Sequence, residues 1–277
     1  MLLQELSAIS PVDGRYRNKT AALAPFFSEF GLIRYRVLVE VEYLFALAEA
    51  GIPGFDGDAL KQKTAQLRGI YQNFEPAHAE QIKNTEKTTN HDVKAVEYFV
   101  KEQLDLLGLS GLREWVHFGL TSQDINNTAI PLSLKEACNQ ILFPELNQVC
   151  EKLKSMSQSW MQVPLLAHTH GQPASPTRLG KEIYVFVSRL EAQLEQLRNI
   201  DYSAKFGGAT GNFNAHHVAY PGIDWEFFAN NFVNQQLGLS RSAVTTQIEH
   251  YDNLAALFDA FRRINTILID LCRDIWS

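Results

Sequence analysis

The chain has 277 residues, of which 45% are hydrophobic and 20% charged, and a formal net charge of −6. That length and balance suit a folded chain with a real apolar core and exclude an intrinsically disordered one. The acidic balance, without a basic stripe, speaks against a nucleic-acid partner, and no run of about 18 apolar residues is present to span a membrane.

The opening hexapeptide, Met1-Leu-Leu-Gln-Glu-Leu, lacks a basic stretch before an apolar one and does not read as a signal peptide. Helical periodicity follows. Over residues 29–50, Ile33, Val37, Val41, Leu44, Phe45 and Ala48 fill one helix face, and Gly51 and Pro53 end it. A shorter helical pattern starts at Asp58. Asp92 is the expected N-cap of a helix carrying Val93, Val96, Val100, Leu104 and Leu107, closed by Gly108. Gly108, Ser110 and Gly111 then suggest a boundary, with a small helical domain at 1–110 and a long-helix bundle domain at 111–277.

The second half is more regular. Residues 129–156 form a long apolar-periodic run with Pro131 near its start, and Pro144 is expected to kink or interrupt it. Residues 177–200 carry Leu179, Ile183, Phe186, Leu190, Leu194 and Leu197. Residues 252–276 carry Leu254, Leu257, Phe261, Ile264, Leu268, Leu271 and Ile275, alternating three and four apart. Such seams fit long, nearly parallel bundle helices, so the fold class expected is all-α. The heptad still runs at Trp276, which suggests a bundle domain truncated at its C-terminus. Cys138, Cys150 and Cys272 lie in helical patterns and are odd in number, which reads as buried or half-buried free thiols in a reducing cytoplasm.

Polar residues cluster between these apolar runs in four places. In Ala167-His-Thr-His-Gly-Gln-Pro-Ala174, His170 sits in a Gly/Pro-punctuated turn before a long helix. A histidine held there could donate a proton near neutral pH, or simply bond to backbone. His168 and His170 also resemble an alternating metal pair. Such a pair normally sits on a strand with further ligands, whereas the flanks here read as helix and loop, so no metal is expected. Asn90-His91-Asp92 at a helix start fits either anion binding or capping by Asp92. Thr121-Ser122, in the His117–Asn127 stretch, either caps a helix or binds a carboxylate or phosphate. Arg15 beside Tyr16 suits a fork contact to phosphate. Gly207-Gly-Ala-Thr-Gly-Asn212 lacks the Lys-Ser/Thr ending of a nucleotide P-loop and reads as a tight turn that brings backbone close to a site or a neighbouring chain.

Six stretches, in order, resemble the adenylosuccinate lyase family of the fumarase/aspartase superfamily across essentially the whole chain. They are Ser10-Pro-Val-Asp-Gly-Arg-Tyr16, which looks like the bacterial type, Thr88-Thr-Asn-His-Asp-Val-Lys-Ala-Val-Glu-Tyr98, Thr121-Ser-Gln-Asp-Ile-Asn-Asn127, Thr169-His-Gly-Gln-Pro-Ala174, Gly208-Ala-Thr-Gly-Asn-Phe-Asn214 and Thr245-Thr-Gln-Ile-Glu249. The resemblance implies a fumarase/aspartase-like helical fold and a β-elimination that releases fumarate from succinylated purine nucleotides without a cofactor. It implies that His170 is the general acid. Arg15, Tyr16, Asn90, His91 and Asp92 would line the nucleotide site, Thr121 and Ser122 would hold the succinyl or fumarate carboxylates, and Gln247 would touch the same region. It also implies a homotetramer with active sites shared between subunits. The family's Ser-Ser-x-Met-Pro-x-Lys-x-Asn-Pro loop, which carries the catalytic base, does not occur in these residues, so they are expected to be inactive alone. Another fumarate-releasing lyase of the superfamily, or an inactive oligomerising scaffold, are the competing readings.

Overall fold

The computed structural model describes residues 7–277; the opening hexapeptide lies outside them. The described chain is mostly helical and groups into two compact units. One takes in the residues up to Ala137 with Tyr202–His250, and the other Cys138–Asp201 with Tyr251–Ser277. The boundary expected near residue 110 falls inside the first unit, where Ser110–Trp115 is a 3-10 turn. Glycine and serine there mark a turn, but Leu109, Leu112 and Val116 are buried, as core residues are.

The first unit is built round helix α1 (Glu29–Glu49). Ser28 caps it by accepting from the Gly31 amide at 3.1 Å. The expected face is buried, and so is a second one: Tyr35, Val39, Tyr43 and Leu47 are as inaccessible as Ile33, Val37, Val41 and Leu44. Leu32, Arg34, Leu38 and Glu42 form a half-buried stripe, so the buried surface wraps most of the helix, Arg36 and Glu40 included, and the single-face reading underestimated it. Helix α2 (Pro76–Thr89), helix α3 (Asp92–Leu106) and helix α4 (Ser122–Ala137) pack against it. Asn90 closes α2 in the left-handed region at φ 51°. The cap of α3 is His91 rather than Asp92: the His91 Nδ1 accepts from the Lys94 amide at 3.1 Å, while Asp92 opens the helix proper. Helix α4 begins seven residues before the periodic run at 129, because its first two turns are polar, so Pro131 falls in its interior.

In the second unit, helix α5 (Phe143–Ser159) follows a π turn at Cys138–Leu142 and carries Pro144 in its first turn. The expected interruption is therefore present just before the proline. Next comes a hairpin of strand β1 (Pro164–Thr169) and strand β2 (Gln172–Arg178), then helix α6 (Leu179–Arg198) and, after the excursion through the first unit, helix α7 (Asp252–Trp276). Gly180 lets α6 start against α5. A Cβ there would lie 2.2 Å from the Ser157 carbonyl oxygen, and the Ser157 hydroxyl donates to the Gly180 carbonyl at 2.6 Å. The seam of α7 is Leu257, Ala260, Ile264, Ile267 and Leu271. Every second expected position is displaced by one: Phe261 and Leu268 are half-buried, and Ile275 is exposed. The observed seam keeps the same three-and-four alternation, with Ala260 and Ile267 in place of Phe261 and Leu268. All three cysteines are free thiols, Cys138 and Cys150 buried and Cys272 exposed, contrary to the expectation for the last. No helix among the described residues is long and apolar enough to cross a membrane.

Candidate functional site

The starts of α3 and α4 meet. His91 Nε2 lies 3.3 Å from the Ser122 hydroxyl, and His91 Nδ1 is 3.7 Å from the Asp92 carboxylate. Asp92 also accepts from Arg36 of α1 at 2.6 Å and from the Val93 amide at 2.8 Å. Burial works against its ionisation, but the Arg36 guanidinium, the Val93 amide and His91 together hold the carboxyl below the usual range. The Asn90, His91 and Ser122 side chains thus stand at two helix N-termini and one left-handed corner, where amides and hydroxyls favour an anion.

Below them lies a centre that sequence reading passed over. Asp124, fully buried in the first turn of α4, accepts from the Thr121 amide at 2.8 Å. The same carboxylate accepts from the amides of Gly207 and Gly208 at 2.9 and 3.1 Å and from the buried Lys205 ammonium at 2.7 Å. Lys205 also donates to the Gly208 carbonyl. The Gly-rich stretch is therefore a turn that packs backbone onto a buried carboxylate. Gly208 and Gly211, at φ 77° and 82°, supply left-handed corners. A Cβ on Gly211 would lie 2.7 Å from the Thr245 carbonyl, so the Thr245–Glu249 segment lies against this turn; the Glu249 amide donates to Asn127 at 3.0 Å. The segment is thereby tied to α4, while Gln247 itself is exposed. Asp124 lies within one highlighted stretch, but Lys205 carried no signal at all.

A second buried group surrounds His117. Its Nδ1 is 2.6 Å from Glu40 and its Nε2 3.8 Å from Glu97. Burial depresses the imidazole pKa, but the carboxylates of Glu40, Glu97 and Asp124 together outweigh it, and the net shift is upward. Tyr43 donates to the Phe118 carbonyl at 2.7 Å, so its oxygen accepts from His216 Nε2 at 3.1 Å. That assigns the proton to Nε2. His216 Nδ1 has no partner among the described residues, and burial lowers the imidazole pKa to about 4.

A stability prediction follows from that shift. Between pH 6.5 and about 4 the unfolded chain binds a proton that the folded His216 refuses, so stability falls as pH drops through that window. The full loss is on the order of 3 kcal/mol. His117, shifted the other way, contributes stability that is fully present below pH 6.5 and fades as pH rises above it, so its change lies on the other side of the His216 window. His216→Phe should flatten the acid limb of the denaturant midpoint between pH 7 and 5; an unchanged slope would assign it to other groups.

Arg15 and Tyr16 are exposed, with the guanidinium 5.5 Å from the tyrosine ring centroid. Among the described residues no hydrogen bond joins Arg15, Tyr16 or Gln247 to the His91–Ser122 pair.

His170 belongs to the second unit, and the structure corrects its surroundings. Leu179 onward is helical as expected, but Pro164–Arg178 form the β1–β2 hairpin, whose register pairs Thr169 with Gln172 and leaves His170 and Gly171 as a two-residue turn. Both have positive φ, 50° and 75°, the geometry of a type I′ turn whose twist matches that of paired strands. Alternation on an exposed hairpin has no buried face to report it, which is why periodicity missed these strands. His170 is exposed, with Nδ1 3.0 Å from the Thr169 hydroxyl. His168 does sit on a strand, so that argument against a metal pair falls. What remains is the lack of further ligands: among the described residues no three His, Cys, Asp or Glu side chains gather to hold a metal ion.

A family model described as lyase matches residues 14–277. The adenylosuccinate lyase of Dictyostelium discoideum is 52% identical over 99% of this chain and 60% of its own length. Those of Vibrio cholerae and Escherichia coli are 47% and 44% identical over 100% of the chain and 61% of theirs. The chain thus spans 60–61% of the length of these curated relatives. Among solved structures, a fumarate lyase from Mesorhizobium sp. BNC1 superposes with TM-score 0.73 at 22% identity, covering 93% of this chain and 56% of that one. A 3-carboxy-cis,cis-muconate lactonizing enzyme from Pseudomonas putida gives 0.71 at 21%, covering 92% and 55%. At such identity these two speak for the helical fold alone. Since the family match runs almost the length of the chain, from the residue before Arg15 to the end of α7, the chain belongs to the lyase family.

Proposed function

We propose that the protein carrying this chain is an adenylosuccinate lyase. It eliminates fumarate from adenylosuccinate to give AMP, and from succinylaminoimidazole-carboxamide ribotide to give the aminoimidazole-carboxamide ribotide, in the cytoplasm and in purine nucleotide biosynthesis. The observation that carries this reading is the set of relatives of that name at 44–52% identity over essentially the whole chain.

On this reading a base takes the proton from the carbon next to a succinyl carboxylate. The electron pair of that C–H bond forms the C=C bond of fumarate, the C–N bond breaks, and its pair stays on the purine nitrogen, which takes a proton from His170. The Thr169 hydroxyl suits His170 to this. A protonated ring keeps its Nδ1–H on Thr169 while Nε2–H goes to the leaving nitrogen, and the neutral ring that results still has a partner. Thr121 and Ser122 receive the carboxylates at the start of α4, where negative charge is favoured. Asn90, His91 and Asp92 line the nucleotide beside them, Gln247 adds a contact, and Arg15 with Tyr16 takes the phosphate. The base lies on a segment outside these residues, and a homotetramer shares its sites between subunits. Exposed apolar side chains on α7, Phe258 and Ile269 among them, support further association.

Arg15 provides the test within this chain. A fork on phosphate acts alike in ground and transition states, so Arg15→Ala should raise KM by roughly ten- to a hundredfold and leave kcat nearly unchanged. A fall in kcat at constant KM would move Arg15 into the chemistry.

A further inference from the structure

We propose that Arg36 is a positioning residue which holds His91 and Ser122 as a proton-ordered pair; this rests on the reading that the two line the substrate site. Arg36 sits midway along α1, among its buried residues, and is itself only 6% exposed. Its guanidinium forks. Nη2 donates to Asp92 Oδ2 at 2.6 Å and Nε to Asn126 Oδ1 at 2.9 Å. Asp92 is the residue after His91, and Asn126 lies one turn along α4 from Ser122. One rigid, planar group thus fixes two helix starts whose leading side chains meet at 3.3 Å.

The hydrogen bonds have a direction. His91 Nδ1 accepts from the Lys94 amide, so the neutral ring carries its proton on Nε2. Nε2–H then donates to the Ser122 oxygen, and the Ser122 O–H is left to donate outward. A carboxylate placed at the start of α4 needs such a donor. Lysine at position 36 has one nitrogen in place of the fork, and an Arg-to-Lys change at a two-acceptor site is not conservative.

The test uses the whole protein that carries this chain, with isotope-labelled histidine and His91 assigned through His91→Gln. Ser122→Ala should shift the His91 ring-nitrogen signals in the otherwise unaltered protein. In an Arg36→Lys background the same change should have little further effect, because the pair is already parted. Fumarate release should show the same non-additivity: kcat/KM falls roughly tenfold or more for Arg36→Lys, and the double variant is no worse than the poorer single one. Arg68→Lys, which alters the comparable fork on Glu42, should leave the His91 signals in place. If Arg36→Lys does not fold, Asn126→Ala removes one arm and keeps the Asp92 ion pair, and it must show the same loss of coupling. An undiminished response of His91 to Ser122→Ala in either background overturns the proposal. The nuclear magnetic resonance arm needs no substrate, so it decides the positioning claim even if the protein releases no fumarate.

Discussion

Replacing His170 by alanine should lower kcat for fumarate release by about 10²–10⁴-fold and leave the fold intact. The side chain stands exposed at a hairpin tip, so no buried contact is lost with it. The backbone is the weak point of the alanine variant, since φ at this position is positive and alanine adopts that region less readily than histidine or asparagine. His170→Asn is the cleaner variant, because asparagine tolerates the left-handed region yet cannot act as an acid at neutral pH. Both should lose turnover alike, with the thermal midpoint of the asparagine variant close to that of the parent. His168 faces a different position on β1 and should tolerate alanine with far less loss. Near-normal kcat in His170→Asn would remove this residue from the mechanism.

Asp124→Ala should destabilise the first unit by about 3–5 kcal/mol, the largest effect expected of a single change outside the apolar core. The variant leaves the Lys205 ammonium fully buried without its carboxylate and strips acceptors from the amides of Thr121, Gly207 and Gly208. Replacing both partners with apolar residues of similar volume, Asp124→Leu with Lys205→Met, should recover much of the loss in Lys205, though the three amides remain unserved. Denaturant midpoints at constant slope check this. A single-variant loss below about 1 kcal/mol would mean that water reaches the pair and that the surface-pair regime applies instead.

These two residues also show what a sequence reveals and what it hides. The long helices were legible because burial on one stripe imposes a period: the starts of α1 at Glu29 and of α7 at Asp252 stand where the pattern placed them. His170 was visible as a polar residue in Gly/Pro punctuation. The hairpin that presents it was not, because strands exposed on both faces need no alternation. Asp92 looked like a cap, yet His91 takes that role through its ring nitrogen, and Asp92 turns instead to Arg36, a partner 56 residues away that local pattern does not reach. Lys205 pairs with Asp124 across 81 residues; nothing in its neighbourhood distinguishes it from a solvated lysine. Arg36 was hidden for the same reason, as a charge embedded in a run of apolar residues. The partition into two units depends on the excursion of residues 202–250 back to the first unit, a long-range return that glycine-rich punctuation near residue 110 does not encode.

The central claim is that this protein splits a succinyl C–N bond and returns fumarate. The most direct measurement is a product balance on the whole purified protein given adenylosuccinate, with fumarate and AMP quantified together. The account predicts equal amounts of the two products, formed without added metal or cofactor, and their loss in His170→Asn. Substrate left intact by a folded protein, or fumarate released from argininosuccinate instead, would contradict it.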